Sequence, residues 1–283
     1  MSCILDTSSI DLTLTGGTLS ADLIIDPDPV NAATVTANGL FVSGPNETGW
    51  FPCTETFTYS SADDPIFQCT AVGDLTAKYF PGMRFRCTQT TLRYFVIVGV
   101  SFNGGTGLTT LTLYGGTDYD LAAVAIASPS YSTAKAPTGF IPDPTKWMVR
   151  VVDSGDRSKA APVNGTWYLP VGISTITVPI GLWELSLKAN LQITSGGAPI
   201  GGKAAISNNA AALGDAELSA RAIYDDVNIT DARGEVFVKK VISLAVKTVY
   251  NPIFTRDAGT AGSLVFRGSS DGGTVMQAVC AYL

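Results

Sequence analysis

The stretch Asn164–Thr194, NGTWYLPVGISTITVPIGLWELSLKANLQIT, decides the fold of this chain. In its second half every second residue is apolar: Trp183, Leu185, Leu187, Ala189 and Leu191. Such alternation is typical of a long β-strand with one buried face. A strand of this length needs a second sheet to cover its apolar side. The stretch therefore predicts the central strand of a β-sandwich.

The composition favours an all-β chain. Hydrophobic residues make up 46% of the 283 residues, charged residues only 15%, and glycines number 29. The apolar residues occur in short alternating sets between turn residues, and no run reaches the roughly 18 residues of a transmembrane helix. We predict an N-terminal β-hairpin arm in residues 1–50, a small β-barrel-like middle unit in residues 51–146, and a C-terminal jelly-roll sandwich in residues 147–283.

Local patterns support these three units. Alternation on both sides of Gly16-Gly17 predicts a hairpin, which would be marginal by itself in water. The run NGGTG (103–107) between two apolar runs predicts another. The polar residues 46–65 predict a linker or an arm, and the four prolines in 129–146 predict a wrapping loop without ladder pairing. The segment 208–223 fits either a strand with loops or one short helix.

Several classes of function are disfavoured. The net charge is −6 without a basic cluster, which argues against a nucleic-acid partner. No histidine occurs, which excludes Ser-His-Asp and Cys-His catalysis within the chain and all His-containing zinc sites. The N-terminus does not have the pattern of a secretory signal, and the five scattered cysteines predict buried thiols of a protein made in a reducing cytosol. GAPIGGKA (197–204) nearly matches a phosphate-binding loop, but Ala204 stands where a hydroxyl is needed, which favours a Gly-rich loop between antiparallel strands.

Five residues are candidates for binding a ligand, because they combine aromatic and charged groups in predicted loops: Trp50, Tyr224, Asp225, Asp226 and Arg233. Trp50 lies in a polar segment and is expected to be exposed or at an interface. Asp225 and Asp226, like Asp153 and Asp156, could bind a cation or form a glycosidase pair, or could be solvated loop residues. No catalytic residue, metal ligand or cofactor is predicted.

Three parts of the chain carry a resemblance to a known group of proteins. Residues 6–42 resemble the N-terminal module of phage tail and baseplate fibre proteins. Residues 80–147, through Gly82, Tyr94-Phe95, Tyr114–Gly116 and Pro144–Trp147, look like a module of tail proteins from phages and prophages of Gram-positive bacteria. The segments Pro179–Trp183 and Ala278–Leu283 are similar to strands of C1q/TNF-like jelly rolls.

The resemblance implies a bacteriophage minor tail or baseplate fibre protein that forms a homotrimer and is not an enzyme. Its location would be the virion, assembled in the cytoplasm of the bacterial host, and its partners other tail, baseplate or capsid proteins. The first hypothesis is that the jelly roll also binds a host cell-wall polysaccharide. The second is a capsid decoration or head-fibre trimer without a ligand. The third is a glycan-cleaving enzyme that uses two carboxylates.

The alternation also predicts that Trp183 is a core residue and not part of a ligand site. Trp183→Ala should lower the free energy of unfolding by about 3–5 kcal/mol, because it leaves a large cavity. Chemical denaturation of the purified variant measures this. A loss below about 1 kcal/mol would contradict the assignment of Trp183 to the core.

Overall fold

The computed structural model describes residues 10–15, 18–23, 33–36, 39–42, 48–63, 66–116, 121–194, 200–225, 231–259, 262–268 and 272–283. The chain forms two compact units, Met1–Phe51 and Pro52–Leu283. In the described part, antiparallel strands dominate and the helical structure is a single 3-10 turn. Among these residues no helix has the length and apolar character needed to cross a bilayer.

The first unit contains two hairpins, each made of two short antiparallel strands: β1 (Ile10–Thr15), β2 (Thr18–Leu23), β3 (Ala33–Thr36) and β4 (Gly39–Val42). The predicted hairpin around Gly16-Gly17 is confirmed by the pairing of Ile10 with Leu23 and of Thr15 with Thr18. Two such hairpins offer little surface for a core of their own.

Seven strands form the middle sheet in the order β5-β11-β8-β9-β10-β7-β6. Their bounds are β5 (Phe51–Pro52), β6 (Thr58–Asp63), β7 (Ile66–Val72), β8 (Arg84–Thr88), β9 (Leu92–Asn103), β10 (Leu108–Tyr114) and β11 (Ala127–Ser132). One face of the sheet encloses an apolar core: Phe67, Cys69, Phe85, Cys87, Phe95, Ile97, Leu111 and Leu113. The turn predicted at NGGTG joins β9 to β10, with Gly107 N–H donating to Asn103 O at 2.8 Å.

Two predictions for the middle region were wrong. Residues 46–65 are not simply a linker, because Thr58–Asp63 is β6 and pairs with β7. The Pro-rich segment 129–146 is not all loop, because β11 extends from Ala127 to Ser132. The ladder accommodates Pro129 because the register between β11 and β8 shifts between Ala127 and Ser130, so a missing N–H costs little there.

The remaining strands form two sheets that pack face to face. Their bounds are β12 (Met148–Asp153), β13 (Arg157–Ala160), β14 (Trp167–Tyr168), β15 (Ile176–Val178), β16 (Gly181–Thr194), β17 (Ile200–Ser207), β18 (Ser219–Asp225), β19 (Asp231–Leu244), β20 (Thr248–Ala258), β21 (Ser263–Arg267) and β22 (Thr274–Cys280). The 3-10 turn Ala216–Leu218 precedes β18.

The strand order of these sheets is that of a jelly roll. The main strands are ordered β12-β22-β16-β19 in the first sheet and β15-β20-β17-β18 in the second, with β13, β14 and β21 as additions. Most connections cross from one sheet to the other, as Greek-key connections do. Phe254 of β20 and Phe266 of β21 meet between the sheets with ring centroids 4.8 Å apart. The predicted all-β sandwich is confirmed.

Strand β16 is the centre of the first sheet, as its sequence predicts. On one edge it pairs with β19 along its whole length, from Gly181 to Thr194. The other edge is shared, because β22 pairs with Trp183–Lys188 and β21 with Asn190–Thr194. The inward-facing side chains are fully buried: Trp183, Leu185, Leu187, Ala189, Leu191 and Ile193.

The structure decides three further sequence predictions. The segment 208–223 is loop, one 3-10 turn and strand, so the helix alternative was wrong. The GAPIGGKA segment is not a loop from Ile200 onward, because its last five residues begin β17, while 195–199 lie outside the described residues. The four described cysteines are free thiols, and the prediction that they are buried is confirmed for Cys69, Cys87 and Cys280, whereas Cys53 is only partly buried. Burial raises the pKa of Cys53 to about 11 and that of Cys87 to about 12.

Aromatic side chains join the middle sheet to the sandwich. The Tyr114 ring meets the Trp183 ring edge-on at 5.0 Å between centroids and the Trp147 ring at 6.0 Å. Phe140 stacks on Trp147 at 4.9 Å. Gly181 has φ +119°, a conformation that other residues adopt only with strain, and an added Cβ there would lie 3.0 Å from Val98, which would have to shift.

The fully buried Arg84 completes this junction. Its guanidinium donates to the carbonyl oxygens of Gly82 (2.7 Å), Lys135 (2.9 Å) and Tyr282 (3.0 Å), and lies 4.6 Å from the Phe140 ring centroid. The three carbonyls belong to the turn before β8, the Pro-rich segment and the end of the sandwich. Arg84 therefore ties three parts of the second unit together.

Arg84→Met should lower the free energy of unfolding by at least about 3 kcal/mol, because buried carbonyl oxygens lose their donors. Urea denaturation measures the change. Arg150→Met is the matched control, because Arg150 is exposed on β12 and its replacement should cost no more than about 0.5 kcal/mol. Equal losses for the two variants would refute the role of Arg84.

Candidate ligand-binding surface of the C-terminal sandwich

Tyr224, one of the predicted site residues, is exposed on strand β18, so the prediction that it lies in a loop was wrong. Its side chain is 56% accessible, a high value for a large aromatic residue within a strand. The guanidinium carbon of Arg221 lies 4.9 Å from the centroid of the Tyr224 ring. An exposed ring beside a cation is suited to stacking and charge-assisted hydrogen bonding with a polar ligand.

Arg221 also belongs to an ion cluster on the same sheet. Lys203 Nζ lies 3.0 Å from Asp257 Oδ2, and Arg221 donates a hydrogen bond to the same oxygen. Lys203 and Arg221 are direct partners in the register of β17 with β18. Like charges in that position repel each other, and the carboxylate between them offsets the repulsion. We call Lys203, Arg221, Tyr224 and Asp257 the Tyr224 surface.

Two β-bulges shape this surface. Between Gly201 and Gly202 the register of β17 with β20 skips Asp257. Between Gly202 and Lys203 the register of β17 with β18 skips Ala222. Bulges redirect side chains and are frequent beside functional sites. Here they bring the Asp257 carboxylate next to two cations on neighbouring strands.

Gly201 makes room for that carboxylate. A Cβ added at Gly201 would lie 2.3 Å from Asp257 Oδ1, which no real contact allows. This oxygen is buried and makes no hydrogen bond to any described residue. The absence of a side chain at Gly201 is therefore a condition for the ion cluster.

Arg233, another predicted site residue, is not part of the Tyr224 surface. It lies on β19 in the first sheet, 3.8 Å from a carboxylate oxygen of Asp231. With Asn190, Glu235 and Arg267 it lines a shallow depression of about 370 Å³ on the outer face of that sheet. Glu235 is neutralised by Lys188 at 3.4 Å. The depression thus has paired charges of both signs and no aromatic ring.

The other predicted site residues are Trp50, Asp225 and Asp226. Trp50 was expected to be exposed or at an interface; it is fully buried, so the alternative of an exposed side chain was wrong. Its polar neighbours in sequence gave no indication of this burial. Asp225 is the last residue of β18, but its side chain and the whole of Asp226 lie outside the described residues.

Asp153 and Asp156 have structural partners. Asp153 accepts hydrogen bonds from Arg157 and from the backbone N–H groups of Gly155 and Ser174, which together lower the pKa of its carboxyl against the opposing effect of burial. Asp156 accepts from Arg267 and from the N–H of Gly268. Within the described ranges, no three metal-binding side chains come together.

No pattern in the sequence marked Lys203, Arg221 and Asp257 as residues of one site. Lys203 was considered only as part of a phosphate-loop motif. The three residues are separated by up to 54 positions, and their proximity depends on the pairing of β17 with both β18 and β20. No local pattern carries that information.

The outer face of the first sheet has a different character. Phe237 is 62% exposed and Val241 52% exposed, both on β19. The register places Val152, Val275, Lys188 and Phe237 on one rung across four strands. Two ion pairs, Lys188–Glu235 and Lys239–Glu184, cross the same face. The face thus exposes apolar side chains among neutralised charges.

No protein-family model matches the sequence, and no curated protein matches it. Among solved structures, the chain is similar to dimeric latent PorU from Porphyromonas gingivalis, with a TM-score of 0.25 and 10% identity over 81% of this chain and 24% of that chain. It is also similar to a chain in a structure of the Gt strain of infectious bursal disease virus, with a TM-score of 0.30 and 12% identity over 88% of this chain and 63% of that chain. For a VP2 subviral particle of the same virus the TM-score is 0.25, with 11% identity over 87% and 67%.

The chain thus spans about a quarter of the PorU chain and less than two thirds of the Gt-strain chain. Two of these three structures come from a virus. TM-scores of this size are too low to establish a shared fold.

Gly201→Ala should lower the free energy of unfolding by about 1–3 kcal/mol, because the new methyl group displaces Asp257. In an Asp257→Ala background the same change should cost clearly less, which a double-mutant cycle measures by thermal or urea unfolding. Gly104→Ala is the matched control, since its Cβ would meet nothing closer than 3.9 Å. An undiminished cost in the Asp257→Ala background would contradict the close approach.

Proposed function

We propose that the chain is a structural protein of a bacteriophage particle, located in the tail tip or baseplate. Its C-terminal sandwich binds a polysaccharide of the host cell wall, without cleaving it. The resemblance of residues 6–42 and 80–147 to phage tail modules supports the placement in the virion. The single observation that carries the binding role is the exposed Tyr224 ring beside Arg221 and Lys203.

The geometry of the Tyr224 surface suits a polysaccharide better than a small buried ligand. The surface is open and lies on the strands of a sheet. A sugar ring can stack on an aromatic side chain, and its oxygens can accept hydrogen bonds from Lys and Arg. One such contact is weak. Several copies in one particle would raise the avidity by providing simultaneous contacts.

Self-association of the chain as a homotrimer forms part of the proposal. The outer face of the first sheet exposes Phe237, Val241 and Val152, which a symmetric interface would remove from water. Other virion proteins, of the tail, baseplate or capsid, would hold the remaining surfaces. A capsid decoration or head-fibre trimer without a ligand is the second candidate, because this apolar face alone would account for an assembly role.

Two measurements separate these roles. The full chain is tested for binding to a panel of purified Gram-positive cell walls and for its ability to block phage adsorption. Tyr224→Ala should weaken wall binding about fivefold or more, since it removes the stacking surface. Tyr168→Ala is the control for loss of a partly exposed tyrosine near a cation, because Lys159 lies 5.0 Å from the Tyr168 ring centroid.

Failure to bind any wall and to block adsorption would refute the binding role and leave the ligand-free trimer. Reducing-sugar release from a wall preparation would instead show a glycan-cleaving enzyme. Light scattering after gel filtration tests the homotrimer. A monomer at micromolar concentration, with the same mass for Phe237→Ser, would refute self-association through this face.

A further inference from the structure

The Tyr224 surface presents positive charge to solvent although it contains both signs. The Lys203 side chain is 36% accessible and that of Arg221 44%, whereas the Asp257 side chain is only 14% accessible. The carboxylate lies beneath the two cations and is shared by them. A ligand that approaches this surface therefore meets two cations first, and the three charges sum to +1.

The arrangement of the cations is unusual for a purely structural ion pair. One carboxylate would be balanced by one cation, and a second cation directly opposite the first in the ladder costs repulsion. Two β-bulges and the space that Gly201 leaves keep the two cations close together despite this repulsion. An anionic group that bridges Lys203 and Arg221 would relieve the repulsion and gain charge-assisted hydrogen bonds.

The exposed Tyr224 ring indicates that the ligand has a ring that can stack, in addition to an anionic group. It is the large exposed aromatic group next to the cations, and Arg221 is in contact with both the ring and Asp257. An anionic group alone would leave this ring in water. A sugar ring joined to the anionic group would stack on Tyr224 and place the charge beside Arg221 and Lys203.

We propose that the Tyr224 surface binds an acidic saccharide, with the sugar ring on Tyr224 and its carboxylate or phosphate between Lys203 and Arg221. The inference rests on the proposed binding of a wall polysaccharide and adds its chemical class. The charge on the saccharide could come from uronic acids or from phosphate substituents. The two sources share the same recognition and are separated by the experiment.

The experiment measures binding of the full chain to purified Gram-positive wall glycans before and after two treatments. Carbodiimide amidation neutralises carboxylates, and hydrofluoric acid removes phosphodiesters. Binding should fall about tenfold or more after one of them, and the effective treatment identifies the source of the charge. Lys203→Gln should weaken binding to untreated glycan about tenfold. Lys78→Gln, which also removes a lysine paired with a carboxylate but lies beside the middle sheet, should have no effect.

The direction in which Asp257→Asn changes the affinity distinguishes an acidic ligand from a neutral one. If the ligand is acidic, removal of the carboxylate raises the local charge from +1 to +2 and strengthens binding. If Asp257 instead accepts hydrogen bonds from a neutral sugar, the same variant weakens binding. Circular dichroism melting of each variant checks that it is folded, and the glycan treatments on the unmodified chain give the same answer without any variant.

Each outcome supports or overturns the inference. Loss of binding after one treatment, with weakening by Lys203→Gln, supports it. Binding that survives both treatments overturns the acidic class and leaves the polysaccharide role intact. Failure to bind any untreated glycan overturns both. The assignment to a saccharide is overturned if inorganic phosphate alone binds as tightly as the untreated glycan. It is also overturned if a single-stranded oligodeoxythymidine binds more tightly than that glycan.

Discussion

The pairing of β16 on both of its edges is the constraint on which the second unit depends. A fourteen-residue strand with ladders on both sides cannot turn its apolar face to water, so a second sheet has to cover it. The first residues of the same strand reach beyond the sandwich. Trp183 meets Tyr114 of the middle sheet, so one strand contributes both to the sandwich core and to the junction.

The junction explains why the Pro-rich segment is ordered. Burial of a guanidinium is costly unless its donors are satisfied. Arg84 is satisfied by backbone carbonyl oxygens, which have to be held in place by their own segments. Phe140, within the Pro-rich segment, stacks on Trp147, which directly follows that segment, and the Phe140 ring also contacts the Arg84 guanidinium. The segment between the middle sheet and the sandwich is thus packed structure, and prolines reduce the entropy lost when it becomes ordered.

The two outer faces of the sandwich differ in the way that the proposed roles require. Phe237, Val241 and Val152 expose apolar surface on the first sheet, where the charges are paired within the sheet. On the second sheet, Lys203 and Arg221 cover a half-hidden carboxylate beside an exposed tyrosine. An apolar face with balanced charges suits contact with another copy, and a polar face with a net charge suits a soluble polymer. A trimer formed through the first face would leave the second free on every copy.

The sequence by itself determined the all-β class, the buried face of β16, the hairpin turn at NGGTG and the free thiols, because alternation, turn residues and scattered cysteines are local signals. It also marked Tyr224. The sequence could not show that Trp50 is buried, that Pro129 lies within a strand, or that Lys203 and Arg221 share Asp257. These features depend on which strands become neighbours and on where a ladder shifts by one residue. Register and bulges arise from long-range pairing, so only the tertiary structure decided them.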